Sequence, residues 1–210
     1  DEMALISLRQ LTGKETNIRE VRANGKGARE PPTAPEPFAA GLARDLQSGA
    51  KGFTHKGNLG LVTGTYDKAF ETEMAQADEL YYPGMKWSDA DGVALVGALR
   101  AAHERGGLQQ LVTLNLYNNQ MGDETAAALA SLLEAGAMPK LKTLRLSGNQ
   151  IGEAGMAALA SAVGGGALPS CEGIGLGDNP GSAGPVREAA AQRGGLEVNV
   201  DSDEEDSEEE

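Results

Sequence analysis

The chain has 210 residues, 40% of them hydrophobic, which is enough for one domain of ordinary size with a smaller appendage. Its net charge is -13, and residues 201–210 hold eight carboxylates and no base, so the clustered Lys and Arg of a nucleic-acid footprint are absent. One cysteine, Cys171, excludes an internal disulfide, and no apolar run reaches the roughly 20 residues that span a bilayer.

These features predict a soluble protein of the cytoplasm or nucleus, or of an organelle such as a plastid if a targeting peptide has been removed ahead of Asp1. A membrane-bound complex remains open as a docking place. Aromatic residues make up only 4% of the chain while Ala and Gly abound, a composition suited to thin, regularly stacked layers.

Residues 1–76 show no internal repeat and read as an irregular N-terminal arm. Residues 3–11 suit a short strand or a helical turn. Pro31, Pro32, Pro35 and Pro37 then form an extended linker, since proline fixes φ and removes a backbone donor. Beyond it, 38–46 reads as a short amphipathic helix, 57–66 as a β-hairpin or loop, and 72–77 as another short helix. The expectation is an extended arm lying partly on the domain that follows.

Residues 77–200 are different, because this stretch matches itself when shifted. Leu111, Leu114, Leu116, Asn119 and Met121 recur thirty residues later as Leu141, Leu144, Leu146, Asn149 and Ile151, and again as Cys171, Ile174, Leu176, Asn179 and Gly181. Each unit runs LxxLxLxxN, a Gly-containing corner, and then an Ala-rich helical stretch in which residues such as Met156, Leu159 and Val163 share a face. The strand leucines need a neighbouring copy to bury them, and the Asn can bond backbone groups at the turn. Upstream, Leu80 and Tyr82 stand at strand positions and Trp87, Leu95 and Leu99 line up with Met121, Leu129 and Leu133, with Met85 in place of Asn, which marks a worn first unit that caps the stack. Downstream, 185–193 is a short polar helix, and Leu196, Val198 and Val200 offer a closing strand. The count is four strand-helix units plus that strand.

The phrases LxxLxLxxN and GxxALA, at this spacing, resemble the leucine-rich repeats of the ribonuclease-inhibitor-like class over about the last 120 residues. The resemblance implies an α/β fold, a short curved solenoid with a parallel sheet on its inner face and helices outside. Residues 201–210 form an acidic tail, self-repelling and expected to be disordered. It would either keep the chain solvated or serve as a handle for a basic partner, with Ser202 and Ser207 open to phosphorylation.

Few residues offer chemistry. His55 and His103 lie outside any metal-ligand spacing, and both are expected at the surface. Cys171 takes a leucine position and reads as a buried small hydrophobe, not a nucleophile. The glycines at 173, 175, 177 and 181 match no phosphate-binding fingerprint. Asp123, Glu124 and Glu153 follow the corner glycines and favour the positive end of the helices they open. No enzyme activity, cofactor or metal is expected.

Binding is expected on the residues that alternate with the strand leucines, namely Glu79, Tyr81, Thr113, Asn115, Tyr117, Thr143, Arg145 and Ser147, with Gly173, Gly175 and Gly177 beyond them. Tyrosine and arginine are enriched among interface hot spots. A second candidate anchor is Tyr81, Tyr82 and Trp87, which would otherwise be cap packing. Three roles follow, all with protein partners: an interaction or scaffold module, an accessory subunit held in a larger assembly by its arm, or a regulator of a small GTPase or phosphatase.

Overall fold

The computed structural model describes residues 30–48 and 58–200. The predicted element at 3–11, His55, the acidic tail and its two serines lie outside the described residues. Two helices come first, α1 (Pro35–Gln47) and α2 (Asn58–Gln76). Then strands and helices alternate: β1 (Glu79–Tyr81), α3 (Asp89–Glu104), β2 (Thr113–Asn115), α4 (Asp123–Glu134), β3 (Thr143–Arg145), α5 (Glu153–Gly164), β4 (Gly173–Gly175), α6 (Gly184–Arg193) and β5 (Glu197–Asn199). The five strands form one parallel sheet in chain order, four strand-helix units and a closing strand as the repeat pattern predicts.

The register keeps the repeat aligned. Leu80, Leu114, Leu144, Ile174 and Val198 are paired across consecutive strands. The first four are at most 3% exposed. Helices α3 to α6 pack side by side behind the sheet, and Ala126, Ala130 and Ala162 are buried among them, where small side chains allow close approach. The result is a short α/β solenoid of leucine-rich repeats.

Its corners repeat too. Asn118, Gly148 and Asp178, thirty residues apart, all take left-handed backbone, with φ of 55°, 69° and 53°. These residue types bear that conformation at least cost, and each sits where the chain leaves the sheet for a helix.

The arm corrects the sequence reading. Residues 57–66 are not a hairpin: from Asn58 they belong to α2, which continues through the predicted short helix at 72–77 as far as Gln76. Gly60 and Gly64 are poor helix formers, but Val62, Tyr66, Phe70 and Met74 recur every fourth residue and are all buried. Tertiary burial therefore outweighs propensity here. Tyr66, Phe70 and Met74 belong to the same apolar cluster as the strand leucines. The Met74 carbonyl accepts from Leu108 N at 2.8 Å, binding α2 to the end of the first unit.

Helix α1 starts three residues earlier than expected, with Pro35 at its first position, where the missing N–H costs nothing. It docks on α2 through a stacked pair, Phe38 on Tyr66, with ring centroids 3.9 Å apart. The Tyr66 hydroxyl donates to Thr33 O at 2.6 Å, and burial pushes its pKa up to about 12, with that bond opposing the rise. Arg105, just past α3, bonds Glu36 of α1 and Asp67 of α2, each at 2.5 Å, so one guanidinium holds three helices together.

Candidate functional site

The outward side chains of the sheet stand in rows set by the register. One row runs Glu79, Thr113, Thr143, Gly173, Glu197, and the next runs Tyr81, Asn115, Arg145, Gly175, Asn199. Glu79, Tyr81, Thr113, Tyr117, Thr143 and Arg145 are half-buried, partly open to solvent. Tyr81 and Arg145 are two strands apart, about 10 Å at ordinary strand spacing. Tyr117 stands one row further along, and its carbonyl accepts from Gly84 N at 2.8 Å.

Four of the expected residues are not offered to a partner, Gly175 and Gly177 being buried along with Asn115 and Ser147. Asn115 is 3% exposed and Ser147 is fully buried. The Asn115 side chain turns along its own strand, its Oδ1 accepting from Tyr117 N at 3.0 Å. Ser147 enters the corner, where its carbonyl accepts from Asn118 N at 2.9 Å and from Asn149 Nδ2 at 3.4 Å. Strands of three residues end before a fifth position can project, so alternation fails at their margins.

The second candidate anchor divides. Tyr82 and Trp87 are buried with ring centroids 5.0 Å apart, which is packing of the first unit, and Tyr81 alone of the three keeps an open side. On β4, open space surrounds the position a Cβ would take at Gly173. The face therefore rises at Tyr81, Tyr117 and Arg145 and falls away toward β5.

Three asparagine clasps hold the units in register. Asn149 Oδ1 accepts from Met121 N at 3.1 Å while its Nδ2 donates to Leu116 O and Leu146 O, both at 2.9 Å. Asn119 joins the first unit likewise, through Trp87 N and Tyr82 O, and Asn179 takes Ile151 N and gives to Leu146 O. The predicted turn bond is therefore present, but it reaches across to the preceding unit as well as its own.

The acidic residues that open the helices act on the next helix, a role the sequence reading missed. Gly122 and Gly152 offer no side-chain cap to α4 and α5. Instead, Asp89, from the first turn of α3, accepts from Gly122 N, Glu124 N and Thr125 N at the start of α4. Asp123 of α4 accepts from Gly152 N at 2.7 Å and Gly155 N at 2.9 Å at the start of α5. Glu153 of α5 accepts from Ser182 N at 3.0 Å ahead of α6. Helix α3 uses its own capping box, Ser88 with Asp91. Burial opposes ionisation of Asp89, but the hydrogen bonds from Thr125, Gly122 and Glu124 outweigh it and lower its pKa.

Cys171 is 5% exposed at its leucine position, and burial pushes its thiol pKa up, which suppresses nucleophilicity. His103 is half-buried instead of exposed, its Nδ1 enclosed without a hydrogen-bond partner in the structure. Among the described residues no group of three or more His, Cys, Asp or Glu is placed to hold a metal ion. No helix among them is long and apolar enough to cross a membrane.

Residues 108–130 and 137–160 match the Leucine Rich repeat family. The two matches fall on the second and third units, each running from the approach to a strand into the helix behind it. No curated protein matches the chain. Over these two stretches the sequence carries leucine-rich repeats, in keeping with the fold, and such repeats are generally protein–protein interaction modules.

Proposed function

We propose that this protein is a non-catalytic interaction module whose inner sheet face, around Tyr81, Tyr117 and Arg145, binds a protein partner. The observation that carries this reading is the union of two half-open tyrosines and an arginine on a sheet whose register is fixed by buried clasps. Such a platform loses little entropy on binding, and aromatic and arginine anchors dominate interface energetics. Asn115 and Ser147 act as internal supports of the face.

The 30-residue unit with a full helix behind each strand favours the ribonuclease-inhibitor-like class. The arm of residues 35–47 and 58–76 directs Phe38, Tyr66, Phe70 and Met74 into the chain itself, which favours the inner face over those helices as the surface for a partner.

The test is affinity capture with the full chain, identification of a stoichiometric partner by mass spectrometry, and titration of that purified partner. Tyr117→Ala and Arg145→Ala each weaken binding about fivefold or more, near 1 kcal/mol, with little change in melting temperature. Removing residues 1–29 leaves affinity intact. Unchanged affinity in both point variants, with loss on truncation, would place the contact on the arm and sink the proposal.

A further inference from the structure

Among the described helices and strands, α1 packs on α2 alone, whereas α3, α4 and α5 each pack on a helix at either side. Of its 13 residues only Pro35 and Leu42 are buried, and its N-cap, Ala34, supplies no side-chain bond. A helix of that length is marginal in water by itself. Leu42 of α1 and Val62 of α2 are buried, but neither belongs to the apolar cluster that joins Tyr66 to the strand leucines. The ion pair that ties α1 to Arg105 is solvated, with 71% of the Glu36 side chain exposed, and pairs of that kind contribute little. Helix α4, by contrast, buries six residues between two neighbours and is capped by Asp89. The hold on α1 is therefore the weakest of these, and opening of α1 leaves the solenoid intact.

The groups that α1 contacts are better fixed than α1 itself. Tyr66, 2% exposed under the Phe38 ring and the Thr33 carbonyl, is anchored through the cluster it shares with Phe70 and Met74. Arg105 is paired with Asp67 at 2.5 Å and with Glu71 at 3.6 Å, both on α2, so it keeps its place without Glu36. Tyrosine and arginine are also the residue types that anchor interfaces. We propose that α1 is a displaceable strap, filling from within the chain a docking place for a partner protein's helix that stacks an aromatic ring on Tyr66 and pairs a carboxylate with Arg105. The occupant's chemistry is that of α1: an acidic residue two positions ahead of an aromatic one, as in Glu36 and Phe38. Covalent linkage favours α1 over a partner of equal strength, so a stronger helix is needed to take the place. With α1 seated Tyr66 is covered, so this site is additional to the inner face and does not rest on the reading given above.

The test uses the full chain, with a fluorescent peptide of residues 30–48 as the probe and anisotropy as the readout. Phe38→Ala in the chain loosens the strap, and this variant binds the peptide at least tenfold more tightly than the wild-type chain does, because α1 no longer competes from within. A peptide that itself carries Phe38→Ala binds the variant at least tenfold more weakly, and one carrying Glu36→Lys at least threefold more weakly. Native-state hydrogen exchange on the wild-type chain needs no variant: amides of α1 exchange at least tenfold faster than those of α4. Equal protection of α1 and α4, no binding of the peptide to the variant, or equal binding of the Phe38→Ala peptide would each overturn the inference. A wild-type dimer in sedimentation that the peptide dissociates would seat a second copy's α1 here and overturn the assignment to a partner protein.

Discussion

The carboxylate of Asp89 closes the helix that begins at Gly122, and Thr125 is where it holds most firmly: Oδ1 accepts from Thr125 N at 2.8 Å and from Thr125 Oγ at 2.5 Å. A residue in the first turn of one helix is thus the cap of another, thirty-three residues onward.

Asp89→Ala consequently destabilises the protein by about 1–2 kcal/mol, the ordinary cost of a lost cap, although α3 keeps its own capping box. The effect depends on pH. The pKa of Asp89 is lower in the folded chain than in the unfolded one, so its contribution is complete above the unfolded value near 4 and fades as pH falls through the folded value. Denaturant melts of both proteins between pH 7 and pH 2 show the gap closing in acid. A gap that is constant across that range would mean the carboxylate charge contributes nothing.

Asn149→Ala costs more, about 3 kcal/mol, because it strands the buried Met121 N–H and leaves Leu116 O and Leu146 O without that donor. Replacement by Leu, which is nearer in size, does not rescue it. Equilibrium urea unfolding decides the point, and a cost under about 1 kcal/mol for both variants would show that water replaces the side chain.

Two glycines on neighbouring elements behave oppositely. A Cβ at Gly181 would overlap the backbone of Gly152, where the third and fourth units meet, and backbone cannot rotate aside. Gly181→Ala is expected to cost about 2 kcal/mol or more, whereas Gly173→Ala, in open space on the sheet face, changes stability by less than about 0.5 kcal/mol. Calorimetric melts of the pair provide the comparison, and similar melting temperatures would contradict the packing described.

Truncation separates the two arm helices. Removing residues 1–48 takes away the Phe38 stack and the Glu36 ion pair and lowers the melting temperature modestly. Removing residues 1–76 exposes the face that Phe70 and Met74 cover and leaves the first unit unfolded, seen as fast exchange of amides in α3. Alkaline titration reports the same contact. The neutral form of Tyr66 is favoured in the fold, with pKa up to about 12, so wild-type stability falls between pH 10 and pH 12 and that of Tyr66→Phe does not fall through this group.

What could be read from the sequence follows from what repeats. The leucine rows, the asparagines and the count of units recur at a fixed interval, and each copy reinforces the others. Helix α2 occurs once, and Gly60 and Gly64 weaken its local signal, although Val62, Tyr66, Phe70 and Met74 already carry a four-residue spacing that a search for periodicity could use. The reach of Asp89, Asp123 and Glu153 was hidden for another reason: a carboxylate near a helix start suits its own terminus equally well in sequence, and only the lateral offset of the packed helices selects the neighbour. Burial of Asn115 and Ser147 was equally invisible, since alternation describes strands longer than three residues. On the inner face, Tyr81, Tyr117 and Arg145 keep the exposure that alternation predicts.

Each inner unit carries one half of every clasp on either border. The unit at 113–134 turns its asparagine back and its aspartate onward, and the unit at 143–164 does the same with Asn149 and Glu153. The asparagine halves match, while the acidic halves differ in reach, Asp123 taking two amides at the start of α5 and Glu153 one ahead of α6. A gene segment encoding thirty residues, copied in tandem and inserted in phase, would therefore meet a familiar border on both sides.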